Sequence, residues 1–135
     1  MSLITWDGSY AVNVRRCDEE HQKLFSLLNS LHNAMLVGKG SSVIVPLVAD
    51  LKNYTKYHFS NEEGLMERAK YPSLPVHRME HQKFVKQVDE FQSDLEKGKP
   101  VNSIDVVTFI RAWLSDHIRK TDRAYGPHLN SCGVS

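Results

Sequence analysis

Residues 75–98 read PVHRMEHQKFVKQVDEFQSDLEKG, and the spacing inside this stretch sets the fold. Its inward positions are His77, His81, Phe84, Val88, Phe91 and Leu95, four and three residues apart in alternation. That is the heptad seam of a helix that packs against other helices. Ser73-Leu74-Pro75 precedes it, and Gly98 and Pro100 end it, so a helix is predicted over 75–97. Its first two seam positions are histidines. Imidazoles on an apolar stripe cost free energy unless something satisfies them.

The flanking sequence repeats the pattern. Leu24, Leu27, Leu28, Leu31 and Met35 recur at helical spacing, and His21 continues their stripe. A helix is predicted over 18–37, with Asp18 as N-cap and Gly38 and Gly40 as the stop. A second helix, 42–70, tolerates Pro46 in its first turn and carries Ile44, Leu47, Leu51, Tyr54, His58, Glu62 and Met66 on one face. His58 and Glu62 are i and i+4, about 40° apart around the axis, so both reach one site. A last helix, 103–125, aligns Val106, Ile110, Trp113 and His117. Residues 1–17 read as an extended arm bearing Trp6, Tyr10, Val12 and Val14.

Four amphipathic helices on short loops, with no strand pattern, predict an all-α fold: an antiparallel up-down-up-down bundle forming one domain over 1–135. The topology carries a check. His21, and His77 with His81, open the first and third helices, whereas His58, Glu62 and His117 lie late in the second and fourth. In an up-down bundle those ends lie together, so the polar groups converge at one end. Asp122 is the awkward member. Five residues after His117 puts it about 140° around an ideal helix. It joins the others only if the helix ends there, which Gly126-Pro127 suggests, or if it carries a π-type turn. His32 and His128 belong to no paired spacing and read as surface or flanking residues.

Five imidazoles and two carboxylates exceed what one zinc ion uses. Two octahedral ions fit better. Five nitrogens and two carboxylates bridging twice make nine bonds, and a bridging oxide or hydroxide brings them to eleven of twelve. One position stays open for an exogenous ligand. A thiolate-free set points to iron, zinc or manganese. The Glu-x-x-His spacing of carboxylate-rich di-iron oxidases is missing, since no Glu has a His three residues later. Leu24, Leu28, Phe59, Trp113, Leu114 and Ile118 flank the donors and form a candidate pocket that excludes water and protons from a bound small molecule.

With 17 Lys and Arg against 16 Asp and Glu, the net charge is +1 and no arginine-rich run appears, so nucleic acid is not an expected partner. No apolar run is long enough to span a bilayer and the N-terminus lacks a signal-peptide pattern, so membrane insertion is not expected and a cytoplasmic location is. Cys17 and Cys132 make no CxxC pair and read as free thiols.

The motifs His21-Gln22-Lys23-Leu24, His58-Phe59-x-x-Glu62-Glu63, His77-x3-His81-x-x-Phe84 and Trp113-Leu114-x-x-His117-Ile118-x3-Asp122, after an arm with Trp6, resemble the hemerythrin family, more narrowly its single-domain bacterial members, over nearly the whole chain. The resemblance implies two iron ions bridged by an oxo or hydroxo group. It implies that His77, His81 and His117 bind one iron, that His21 and His58 bind the other and leave it an open position, and that Glu62 and Asp122 bridge. Reversible dioxygen binding, as carrier or store, is the implied function; separately, the sequence shows no large apolar surface patch, so a monomer is expected. An unidentified protein recipient of dioxygen is left open. So are two alternatives: a di-iron enzyme handling peroxide or nitric oxide, and an oxygen sensor acting through a partner. Two departures from the family's usual pattern fall in the arm: Cys17 where a larger aliphatic is common, and Val12-Asn13-Val14 without a common glycine.

Overall fold

The apolar stripes decide which helix faces turn inward, and the end signals decide where each helix stops. In the computed structural model, which describes residues 3–39, 41–99 and 103–135, four antiparallel helical segments pack around one core. They are α1 (Arg15–Leu36), α2 (Ser41–Arg68), α3 (Leu74–Glu96) and α4 (Ser103–Asp116). The last continues through a π turn, His117–Asp122, into α5 (Arg123–Ser131). Among the described residues there is no strand, and no helix is long and apolar enough to cross a membrane.

Helices α1 and α3 end alike. Gly38 and Gly98 take φ of 71° and 69°, the left-handed conformation that costs a Cβ-bearing residue strain. The following amide then reaches back to an otherwise orphaned carbonyl, Lys39 to Ala34 at 3.0 Å and Lys99 to Asp94 at 2.9 Å. Helix α2 stops at Arg68, two residues before the expected end, because Lys70 turns left-handed at φ 56° and Tyr71 N–H bonds the Met66 carbonyl at 2.9 Å. Pro46 sits in the second turn of α2 rather than the first.

Two expectations at the chain ends need correction. Asp18 is not the N-cap of α1. The helix starts three residues earlier, after Val14, and the Asp18 carboxylate accepts the Val12 amide at 2.8 Å. The arm causes this. Val12 and Val14 are buried, while Asn13 between them adopts φ 63°, which asparagine tolerates better than most residues. The arm is also not wholly extended, since Gly8–Tyr10 forms a 3₁₀ turn capped by the Asp7 side chain.

At the other end, Gly126-Pro127 does not terminate the last helix, which runs on to Ser131. Gly126 is there because the arm crosses it closely. A Cβ at 126 would collide with the backbone carbonyl of Val12.

The buried side chains form two apolar clusters. The larger holds Leu24, Leu28, Leu31, Val48, Leu51, Phe59, Phe84, Val88, Ile110, Leu114 and Ile118 among others. The smaller holds Val12, Val14, Cys17, Met66, Leu74, Tyr125 and Leu129. Every helical segment passes from one cluster to the other, and the donors predicted from sequence fall in the interval. His21 lies between Cys17 and Leu24, Glu62 between Phe59 and Met66, His77 between Leu74 and Phe84, and Asp122 between Ile118 and Tyr125. A polar layer is thus sandwiched between two apolar ones, and the arm closes the smaller cluster over it.

Gly126→Ala should force the arm off the last helix, at a cost of about 1–3 kcal/mol typical of overpacking. Thermal unfolding of the variant should show a lower midpoint than the parent. An unchanged midpoint would show that the arm does not press on position 126.

Candidate metal centre

Each helical segment delivers its donors by a local rule. Helices α2 and α3 each place a pair at i, i+4 on one face, His58 with Glu62 and His77 with His81. Helix α1 contributes His21. The fourth segment needs a distortion. Of the two routes open to Asp122, the chain takes the π turn, with His117 and Asp122 as its first and last residues. One extra residue in the turn brings positions five apart nearly into line. All seven side chains are buried, none more than 4% exposed.

Within this layer the donor atoms fall into two groups, each lying within 4.8 Å throughout: Glu62, His77, His81, His117 and Asp122, and His21, His58, Glu62 and Asp122. The two carboxylates belong to both, and each divides its oxygens. Glu62 Oε2 faces His21 Nε2 at 3.1 Å and His58 Nε2 at 3.2 Å, while its Oε1 faces His81 Nε2 at 3.4 Å. Asp122 Oδ2 faces His21 Nε2 at 3.0 Å, while Oδ1 faces His77 Nε2 at 2.8 Å and His117 Nε2 at 2.9 Å.

These close approaches are not all hydrogen bonds. His58 Nε2, His77 Nε2, Glu62 Oε1 and Asp122 Oδ1 are buried without a hydrogen-bond partner, although oppositely charged or polar atoms lie 2.8–3.4 Å away. His81 Nε2 and His117 Nε2 stand 3.1 Å apart, nitrogen to nitrogen. Buried polar atoms left unpaired yet aimed at common points fit a bound cation better than a hydrogen-bond network. The donor chemistry, nitrogen and carboxylate oxygen without thiolate, suits iron, zinc or manganese.

For three of the five imidazoles the outward nitrogen explains why Nε2 faces in, whereas Nδ1 of His21 and of His77 is buried without a partner. His58 Nδ1 lies 2.7 Å from Glu20 Oε1, His81 Nδ1 2.8 Å from Glu63 Oε2, and His117 Nδ1 3.2 Å from Glu80 Oε1. A carboxylate accepting the Nδ1 proton holds the ring in place and leaves the Nε2 lone pair for the interior. Thr121 Oγ1 donates to Glu80, Asn61 to Glu20, and Tyr125 Oη to Glu62 Oε2 at 2.6 Å. Reading the sequence alone, we missed Glu20 and Glu80. The available signal was adjacency, since each directly precedes one of the histidines.

Burial by itself disfavours a charged imidazole, but Asp122 and Glu62 outweigh it and push His21 and His117 up to about 9. His58 and His81 shift the same way. Burial would raise the two carboxyls, yet the surrounding imidazoles hold both well below the usual carboxylate range. Without a metal, protons on the histidines supply the positive charge that the carboxylates require.

The candidate pocket residues divide. Leu24, Leu28, Leu114 and Ile118 are buried in the larger apolar cluster. Phe59, in the same cluster, also lies flat on His81, centroids 3.7 Å apart with planes 2° from parallel, and Trp113 at its margin stacks on His117 at 4.2 Å and 15°. These two rings wall the three-histidine group. His32 and His128 belong to neither donor group. Both are half-buried, and His128 Nε2 meets the Ala69 carbonyl at 2.7 Å. Both cysteines are free, Cys17 buried and Cys132 exposed.

Comparison with known proteins converges on one family. A sequence profile described as "Hemerythrin HHE cation binding domain" matches residues 12–129. The chain is 33% identical to a bacteriohemerythrin of Methylococcus capsulatus over 132 residues, covering 97% of this chain and 100% of that one. It is 28% identical to a myohemerythrin of Riftia pachyptila, covering 95% of each. A crystal structure of wild-type hemerythrin superposes with a TM-score of 0.89 at 34% identity, covering 95% of this chain and 98% of that one.

The raised histidines predict how the metal-free protein responds to pH. Their contribution to stability is complete below the ordinary value of 6.5 and is lost as pH rises through about 9. The thermal midpoint of the metal-free chain should therefore fall between those values, and metal binding in that window should release protons. A metal-free midpoint that stays level from pH 6.5 to 9 would contradict the placement of these charges.

Proposed function

The chain belongs to the hemerythrin family, and we propose that it binds dioxygen reversibly, as a carrier or store, at a centre of two iron ions. In this reading His77, His81 and His117 hold one iron, and His21 and His58 hold the other. Glu62 and Asp122 bridge the two. The observation that carries it is the unequal division of donors: five residues gather in one group and four in the other, with both carboxylates shared. The ion with fewer protein donors, beside His21 and His58, is the one with room for an exogenous ligand.

Two ferrous ions, when bound, supply the electrons that a reversibly held dioxygen borrows. The rest of the work falls to the chain. Glu20, Glu63 and Glu80 hold three of the five imidazoles by their Nδ1 atoms, so exchange of a ligand on the iron need not move them. Tyr125 donates to Glu62 Oε2, on the side of the carboxylate that faces His21 and His58, and keeps that oxygen oriented. Leu24, Leu28, Leu114 and Ile118, none more than 1% exposed, keep water and stray protons away. This favours return of dioxygen unchanged over its loss, with protons, as hydrogen peroxide.

The test is an optical cycle on the iron-loaded protein: reduce it without air, admit air, then remove the dioxygen. The expected result is two irons per chain and a coloured form that fades and returns. Direct, irreversible oxidation would contradict the carrier reading.

Two variants sharpen this test. Leu114→Ala should keep both irons but shorten the lifetime of the oxygenated form, because the space left behind admits water; an unchanged oxidation rate would remove Leu114 from the shielding role. His77→Ala should bind less iron and unfold at a lower temperature, since metal binding contributes to folding. Two irons at unchanged stability would contradict the role given to His77.

A further inference from the structure

Between two anchored points the arm carries a short flap. Ile4 is buried and pinned by Asn29, whose side chain accepts the Ile4 amide at 3.1 Å and donates to the Ile4 carbonyl at 2.9 Å. Tyr10 is buried too, edge-on to Phe25 at 4.8 Å, with its hydroxyl 3.2 Å from Ser115 Oγ. Between these anchors Thr5, Asp7 and Gly8 are exposed and Trp6 is half-buried. The Trp6 ring lies against Tyr10 at 5.6 Å and Phe25 at 5.5 Å, and its centroid is 6.4 Å from that of His21.

One side chain of the π turn holds this flap from outside. Arg119 lies between His117 and Asp122 in sequence. Its guanidinium covers the Tyr10 ring at 4.1 Å, its Nε donates to Ser9 Oγ at 3.0 Å, and its Nη2 is 3.8 Å from Asp7 Oδ2. Arg123 adds a bond to the Ser9 carbonyl at 3.4 Å. The Arg119 and Asp7 side chains are 44% and 60% exposed, and exposed ion pairs and cation–π contacts are individually weak. The flap is therefore bound firmly at its ends and lightly in its middle.

We propose that Trp6 controls the access of dioxygen to the His21 and His58 side, and that Arg119 is the positioning residue that keeps Trp6 closed over it. The inference rests on the di-iron reading above, which puts the room for an exogenous ligand beside His21. His21 is 0% exposed, and Trp6 is the arm residue whose ring neighbours it. Swinging the Trp6 ring out gives up its packing on Tyr10 and Phe25 while both anchors stay in place, so no helix has to move. The contacts of Arg119 are with Asp7, Ser9 and Tyr10 and with none of the seven donors. Such a latch sets how often the flap opens. It scales entry and exit alike and leaves the equilibrium affinity unchanged, because it does not distinguish the empty site from the filled one.

The test begins with fluorescence of the full chain loaded with zinc, in a Trp113→Phe background where Trp6 is the one remaining tryptophan. Acrylamide should quench Trp6 weakly in this parent and more steeply in Arg119→Met and in the milder double variant Asp7→Asn, Ser9→Ala. Equal quenching in all three overturns the latch. In the iron-loaded chain with Trp113 intact, Arg119→Met should raise the rates of dioxygen binding and release by one common factor of about fivefold, the size expected from losing a few weak contacts, at unchanged affinity. Trp6→Ala should raise both rates further. Rates that stay at the parent values while the flap opens overturn the access role, since dioxygen then enters elsewhere. A change in affinity, with only one rate altered, overturns it too, because Arg119 would then act on the site itself. A chain that quenches as expected but takes up no iron overturns the di-iron reading, and the access role with it, while the latch stands.

Discussion

Two carboxylates, Glu62 and Asp122, lie in a bundle interior where neither is more than 1% exposed, and the rest of the structure answers to that burial. An unpaired carboxylate in such a place costs far more than a small domain can spare. Five imidazoles converge on the pair, and both carboxyls keep their charge because of it. The same oxygens that demand positive charge are split between two groups of nitrogens, Oε1 and Oδ1 toward one and Oε2 and Oδ2 toward the other. A layer built this way presents nitrogens on both sides of the carboxylates, and the proposal of two metal ions starts from that division.

Much of the surrounding architecture serves to keep that layer in place. The π turn brings Asp122 under His117 at the expense of regular α-helical hydrogen bonding. The apolar clusters above and below seal it, and the smaller one is completed only when the arm lays Val12 and Val14 against Tyr125 and Leu129. Gly126 and the Asp18 carboxylate hold the arm there, one by yielding space and the other by accepting the Val12 amide. Departures from helix rules therefore collect around the site, where local preference gives way to the needs of the donor set.

The periodic parts were legible from the chain alone. Heptad spacing in 77–95 revealed both the helix and the histidines on its inner face, and the up-down topology brought all seven donors to one end. Even the misfit at Asp122 was informative, since a 140° offset left only two escapes and the chain takes one of them. Where the reading failed, tertiary contact had overruled a local signal. Asp18 looks like an N-cap, but the arm claims its carboxylate and the helix starts earlier. Gly126-Pro127 looks like a stop, but the glycine answers a crossing chain that no local pattern reveals. Glu20 and Glu80 stayed hidden because partners 38 and 37 residues away give them their meaning. Phe59 and Trp113 share the apolar cluster of the leucines, and the stacking of their planes on His81 and His117 is a further role that spacing alone does not reveal.

The central claim is that two metal ions sit on either side of Glu62 and Asp122, and an anomalous-scattering crystal structure of the iron-loaded protein, collected at the iron edge, tests it most directly. The account predicts two peaks. One should be bound by His77, His81 and His117, the other by His21 and His58, with each carboxylate touching both. A single peak, or two peaks on the same side of the carboxylates, would contradict it.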